Sequence, residues 1–239
     1  MDHTIKTEKY GIKHILNESW KLFRQNLNDI LKIILCIHLP INIILALLQV
    51  YISTLKWNEF NTQIYRLIDS GLDTLFGTIA TIAIVLLINR SLEEEDTSWH
   101  INLRNGFSKW SAVIATFFLK SILLAGLILM LGIPGIVFAI YYFFVIQVVV
   151  LRNLSWVDAL EYSRKLVLGQ WWHIAGITFL LGIIYIFIYA AILFPITQIS
   201  HNPYINILPN TMYSIINGFF IVASTIFFLN TDYLRQSDQ

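Results

Sequence analysis

Six stretches of roughly twenty residues, each poor in charge, constrain this chain more than anything else in it: 30–50, 71–89, 111–131, 135–151, 172–194 and 211–229. A helix rising 1.5 Å per residue needs about twenty apolar residues to cross the ~30 Å hydrocarbon core of a bilayer. Lipid offers no water to pair an open backbone group, so runs of this kind cross as helices. The composition agrees: 56% of residues are hydrophobic and 13% charged, about half the ~25% charge of soluble domains. The expected fold is an all-α, polytopic membrane helix bundle. It is one integral membrane domain, 1–239, with six transmembrane helices and amphipathic helices at the cytoplasmic interface.

The segments between the runs carry their own signals. In 8–26, Ile12, Ile15, Leu16, Ser19 and Phe23 recur at three-and-four spacing, opposite Lys13, His14, Asn17, Lys21 and Arg24. That pattern, with Trp20 at its flank, is an amphipathic helix suited to the headgroup region or to packing on cytoplasmic loops. Residues 51–70 read as a polar connection with Tyr51, Trp57, Phe60 and Tyr65 as interfacial aromatics. Glu93 to Asp96 read as a solvated acidic loop, and Leu103, Gly106, Phe107 and Trp110 as a second short amphipathic segment. Ser155 with Asp158 has the spacing of a capping pair. Glu161 and Lys165 are placed to pair along a surface helix, and Gly169 is placed to stop it. The loop at 197–210 carries prolines and no Lys or Arg.

Topology follows from the basic residues. Lys6, Lys9, Lys13, Lys21 and Arg24 precede residue 30; Arg90, Arg104 and Lys109 lie in the 90–110 loop; Arg152, Arg164 and Lys165 lie in the 152–170 loop; Arg235 is in the tail. Six spans with both termini cytoplasmic put all of these on one side. The N-terminal segment lacks the short apolar core of a cleavable signal peptide, so it reads as mature and cytoplasmic. Segments 19–35, 106–119 and 163–180 each join a basic amphipathic stretch to an apolar run, which suggests three repeated hairpin units or simply a shared need for inner-side anchors.

Within the apolar runs a few polar side chains stand out. Pro40 should kink the first span, and His38 and Asn42 flank it, placed to satisfy backbone groups that a proline leaves open or neighbouring side chains. Lys120 sits about nine residues into the third span, roughly 13 Å deep. A charge there is costly and faces a bundle interior, a wet cavity or, by snorkelling, the interface. His38, Asn42 and Lys120 are therefore a candidate intramembrane polar cluster. Gly132, Pro134 and Gly135 form a candidate structural turn, and Trp171 with Trp172 a candidate interfacial anchor. Gln147 lies near the end of the fourth span. Cys36, the single cysteine, reads as a small buried hydrophobe.

The stretch LGIPGIVFAIYYFFVIQVVVLRNLSWVDALEYSRKLVLGQWW resembles a bacterial group of six-span proteins, the glycerophosphoryl diester phosphodiesterase membrane-domain-like family and related inner-membrane proteins. Pro134, Gly135, Tyr141, Ala159, Leu160, Ser163 and Gly169 to Trp172 carry the resemblance. It implies a six-span fold in the cytoplasmic membrane. It transfers no catalytic residue, because the phosphodiesterase activity of fused relatives belongs to a separate soluble domain.

Searches for reaction chemistry in the residues find little. No Gly-rich phosphate loop, G-x-S-x-G elbow, H-E-x-x-H or Cys-x-x-Cys pair occurs, so no catalytic, cofactor-binding or metal residue is expected. A net charge of +1 gives nucleic acid no broad attraction. The expected partners are the lipid bilayer and other membrane proteins or a transporter complex. The function class expected is a non-enzymatic scaffold, accessory or immunity-type factor. The alternatives are a small transporter or channel subunit with a polar path near Lys120 and, last, a lipid-active membrane enzyme using the acidic loop.

Overall fold

A computed structural model describes residues 9–54, 59–95, 98–193 and 207–237. The chain runs α1 (Ile12–Gln25), α2 (Leu27–Thr54), α3 (Glu59–Leu72), a π-helical turn (Asp73–Gly77) and α4 (Thr78–Leu92). It continues through α5 (Trp99–Leu131), α6 (Ile133–Tyr141), α7 (Val145–Arg152) and α8 (Trp156–Val167). It ends with α9 (Trp171–Ile188), a second π-helical turn (Tyr189–Leu193) and α10 (Ile207–Ser237). Among the described residues there is no strand. Six helices are long and apolar enough to cross a membrane: Leu27–Ile52, Glu59–Leu92, Trp99–Met130, Ile133–Arg152, Trp171–Ala191 and Ile207–Ser237. The molecule is an all-α, six-span membrane protein.

Several of these helices outrun the apolar stretches that define them. Residues 59–70 are helical and continuous through the π turn with α4, where the sequence suggests only a connection. The segment around Leu103 to Trp110 belongs to the 33-residue α5 rather than forming a helix of its own. Helix ends are set by where the backbone ladder can be capped, not by where hydrophobicity falls, and nothing in these flanks breaks the ladder. The second of the three suggested hairpin units thus lacks a separate surface helix. Trp57, Asp96, His201 and most of the 197–210 loop lie outside the described residues.

At the centre stands α4. Ile79 to Ile88 are all buried except Thr81, so this helix is enclosed on every side, as a helix apolar all round should be. Helix α5 reaches it closely because Gly106 has no side chain: a Cβ there would lie 3.0 Å from the Ile79 carbonyl and 3.5 Å from the Ala83 methyl. Small residues serve such approaches in membranes, where packing rather than water exclusion joins helices. On another side, Gly218 of α10 meets Ile30 and Ile34 of α2. The apolar face of α1 is buried at Ile15, Ser19, Leu22 and Phe23, with Lys13, Lys21 and Arg24 outward. That face lies on α10: Tyr10 donates its N–H to the Asn230 side-chain oxygen at 3.1 Å, and Phe23 meets Phe219 edge-on at 5.7 Å.

The turn between α5 and α6 is one residue long. Gly132 adopts φ +60°, a conformation that costs a residue with a Cβ. Pro134 falls in the first turn of α6, where a missing N–H costs nothing. Gly135 is buried, and a Cβ there would come within 2.3 Å of the Ile128 side chain and 2.9 Å of its backbone nitrogen. The fourth span is itself interrupted. Residues 142–144 leave the α-helical ladder, with Tyr142 and Phe144 at φ/ψ near −101°/18° and −88°/7°. The Tyr141 carbonyl is taken up by the Ser163 hydroxyl of α8 at 2.8 Å. An interrupted helix survives in a membrane only when such groups find partners.

Replacing Ser163 with Ala should therefore leave the Tyr141 carbonyl unpaired beside a buried segment and lower stability by about 1–2 kcal/mol. Thermal denaturation in mild detergent would register this as a lowered midpoint, while Glu161→Gln on the exposed face of α8 should shift it far less.

Candidate functional site

The polar side chains singled out from sequence each meet different groups. Asn42, buried in α2, donates to the Thr211 hydroxyl of α10 at 3.1 Å. His38 Nδ1 lies 3.7 Å from the Asp73 carboxylate in the π turn, next to Gly77, where an added Cβ would lie 3.2 Å from the imidazole. Of the two roles their place beside Pro40 allows, both side chains take the second and meet neighbouring side chains. Lys120 makes no ion pair or hydrogen bond among the described residues. No such contact joins His38, Asn42 and Lys120 into a cluster. Cys36 is exposed on the outside of α2 rather than buried. Of the two tryptophans, Trp172 is 83% exposed, as an anchor requires. Trp171 instead donates its indole N–H to the Val137 carbonyl at 3.2 Å, tying the start of α9 to α6.

The surface helix largely follows its sequence. Glu161 and Lys165 pair at 2.7 Å, which holds the exposed Glu161 carboxyl below its ordinary range. Gly169 follows the helix end with φ +84°. Ser155 is the N-cap residue, but its side chain makes no capping bond. The Trp156 N–H is satisfied instead by Thr116 of α5 at 2.9 Å. Beneath α8 lies a polar layer. Asp232 of α10, 1% exposed, accepts from Arg152, from the Tyr162 hydroxyl at 2.6 Å and from Gln236 at 3.2 Å. Lys109 donates to the Val150 carbonyl at 2.7 Å and to Asn153, closing the C-terminus of α7. This layer fastens α5, α7, α8 and α10 together, although the Arg152 Nε within it is buried without a hydrogen-bond partner.

A different place has unused hydrogen-bonding capacity. A cavity of about 500 Å³ opens between α4, α7, α9 and α10. Its polar wall is Thr81, Gln147, Thr178, Tyr185, Asn217 and Ser224, and no charged residue lines it. Thr81 is the one residue of the 79–88 run that escapes full burial. Gln147 is 5% exposed. Its Nε2 donates to the Ser224 hydroxyl at 3.0 Å, and that hydroxyl in turn donates to the Ile221 carbonyl at 3.0 Å. Because Ser224 has spent its one hydrogen on Ile221, it can only accept from Gln147. In this arrangement the amide nitrogen points toward Ser224 and the oxygen away from it. The Gln147 Oε1 is buried without a partner, and so is the Thr178 hydroxyl.

An unpaired buried acceptor costs about 1–3 kcal/mol, so two at one cavity mark a place built to meet something polar. Chemically, the wall can accept a hydrogen bond at Gln147 and donate or accept at Thr178, beside the rings of Phe143, Tyr185 and Phe220. No nucleophile with a base beside it is among its lining residues. Sequence reading noted Gln147 only as a residue near a span end and passed over Thr178, Asn217 and Ser224. Hydroxyls in membrane helices usually bond back to their own helix, as Thr116 and Thr225 do here. The departure of Thr178 from that habit is invisible without coordinates.

The fold and this cavity define a six-span helical membrane protein with an uncharged pocket between α4, α7, α9 and α10. No family model, curated protein or solved structure matches the chain.

The polar layer generates a pH prediction. Partial burial, together with the hydrogen bond and charge of Asp232, raises the Tyr162 phenol above its ordinary value of 10.0. The folded chain then keeps a proton that the unfolded chain releases above about pH 10, so this contribution is complete below that pH and declines as pH rises further. Tyr162→Phe should make the alkaline fall in denaturation midpoint shallower between pH 9.5 and 11, without steepening the acid side.

Proposed function

We propose that this chain is a non-enzymatic multi-pass protein of the bacterial cytoplasmic membrane. It serves as an accessory or immunity-type factor that works by holding an uncharged, hydrogen-bonding ligand inside the bilayer. The observation that carries the reading is Gln147: nineteen-twentieths buried, bonded through its amide to Ser224, and with an amide oxygen that has no partner at an uncharged cavity. An orientation with both termini cytoplasmic rests on the one-sided basic residues. The likeness of the 131–172 stretch to the glycerophosphoryl diester phosphodiesterase membrane-domain-like group is in keeping with such a role and brings no hydrolytic residue with it.

The competing reading, a small transporter or channel subunit, draws on Lys120, a cation within apolar α5 that has no partner among the described residues. It is not among the residues that line the cavity, so the two readings part experimentally. On the transport reading, Lys120→Met abolishes solute flux in reconstituted vesicles. On the binding reading, Lys120→Met leaves ligand binding as it was.

The test is ligand-induced stabilisation of the full chain, purified in mild detergent and titrated with a panel of uncharged solutes and lipids bearing hydroxyl or amide groups. A ligand at a hundred times its Kd adds about 2.7 kcal/mol to stability. We expect at least one member of the panel to raise the midpoint, and Gln147→Leu to abolish that rise while folding to the same helical content. No rise with any member, or an equal rise in Gln147→Leu, overturns the proposal.

A further inference from the structure

A second concavity, of about 560 Å³, lies between α6 and α9 and is almost wholly apolar. Ile136 and Ile140 form one side; Trp172, Ala175, Gly176 and Phe179 are on the other. At 100° per residue, Trp172, Gly176, Phe179, Ile183 and Ile186 fall on one face of α9, and Thr178, Leu181 and Tyr185 on a face about 150° away, with Gly182 between them. The first face lines this groove and the second lines the polar cavity. Two residues belong to both walls, Thr178 and Gly182. Gly182 contributes no side chain, and a Cβ built there meets nothing within 4 Å. The partition between groove and cavity is therefore thinnest where the free Thr178 hydroxyl stands.

From this continuity, and resting on the binding role proposed above, we infer that the ligand is a long-chain lipid with an uncharged, hydroxyl-bearing head, of the diacylglycerol class. Its chain lies in the α6–α9 groove and its head passes Gly182 into the cavity. Three features select that chemistry. The groove faces the hydrocarbon zone of a spanning helix, so an acyl chain exchanges one apolar surface for another without opening the protein to water. The cavity lacks any charge, and a charged head taken there would lose its hydration with no compensating partner. Gln147 Oε1 can only accept, while Thr178 Oγ1 can donate or accept, so hydroxyl groups on a ligand can complement each of them. Neither amine salts nor phosphodiester heads have that combination in a neutral form.

The test uses the full chain reconstituted in phosphatidylcholine nanodiscs containing a trace of diacylglycerol with a diazirine on one acyl chain. The same diazirine chain on phosphatidylcholine is the comparison. After illumination, mass spectrometry locates the label. The inference expects diacylglycerol to mark the Ile136–Ile140 and Ala175–Ile186 segments at least five-fold above phosphatidylcholine, and unlabelled dioleoylglycerol to compete it away. Gly182→Leu, which fills open space rather than clashing, should cut that labelling about ten-fold with an unchanged denaturation midpoint. Gly126→Leu on α5, equally open, should leave it intact. Gln147→Leu should weaken competition by dioleoylglycerol about ten-fold. Equal labelling by both probes, or labelling indifferent to Gly182→Leu, overturns the lipid inference. If a water-soluble neutral compound still gives Gln147-dependent stabilisation, the lipid inference alone has failed. If no compound does, the binding role has failed with it.

Discussion

Enclosure of α4 is the condition on which the rest of this molecule depends. A helix whose residues from Ile79 to Ile88 are buried on nearly every side can exist only if neighbours cover its whole circumference. In lipid, that covering is not driven by water. It relies on close contact, so the positions that allow closeness become fixed points: Gly106 on α5 against Ile79 and Ala83, and Gly135 against Ile128 within the α5–α6 hairpin. Where closeness fails, a space remains. The polar cavity lies along the one side where Thr81 replaces the aliphatic run.

The interruptions in the helices follow the same logic. A membrane permits an open backbone group only where protein supplies a partner. The break at residues 142–144 has Ser163 on the Tyr141 carbonyl, and the end of α7 has Lys109 on Val150. The start of α8 has Thr116 on the Trp156 N–H. Each partner comes from a different helix, so each repair also fixes one helix against another. The break sets Phe143 at the cavity and Phe144 in the core against Phe227 at 5.3 Å and Phe228 at 5.8 Å. It thereby places Ile146 and Gln147 one turn further on.

Much of the fold was legible because its cause is local. The six spans, the inward face of α1, the Glu161–Lys165 pair and the stop at Gly169 each follow from residues a few positions apart along one helix. The site was hardly legible. His38, Asn42 and Lys120 share an apparent depth along their spans, yet depth leaves the direction around each helix axis open. His38 turned toward Asp73 and Asn42 toward Thr211. Cys36 failed for the same reason: an apolar position on a spanning helix is as comfortable facing lipid as facing protein.

The sequence by itself determined that this is a six-span, all-helical membrane chain with a charged surface helix between its fourth and fifth spans, because bilayer thickness and backbone hydrogen bonding leave long apolar runs one form to take. Which polar side chains meet, and which are left without a partner, only the tertiary structure decided. Rotation of each helix about its own axis is set by packing against neighbours far away in sequence, and in lipid no hydrophobic gradient along the chain records it. Through that packing Gln147 and Thr178 are left unpaired at one cavity, while His38 faces Asp73 and Asn42 bonds to Thr211.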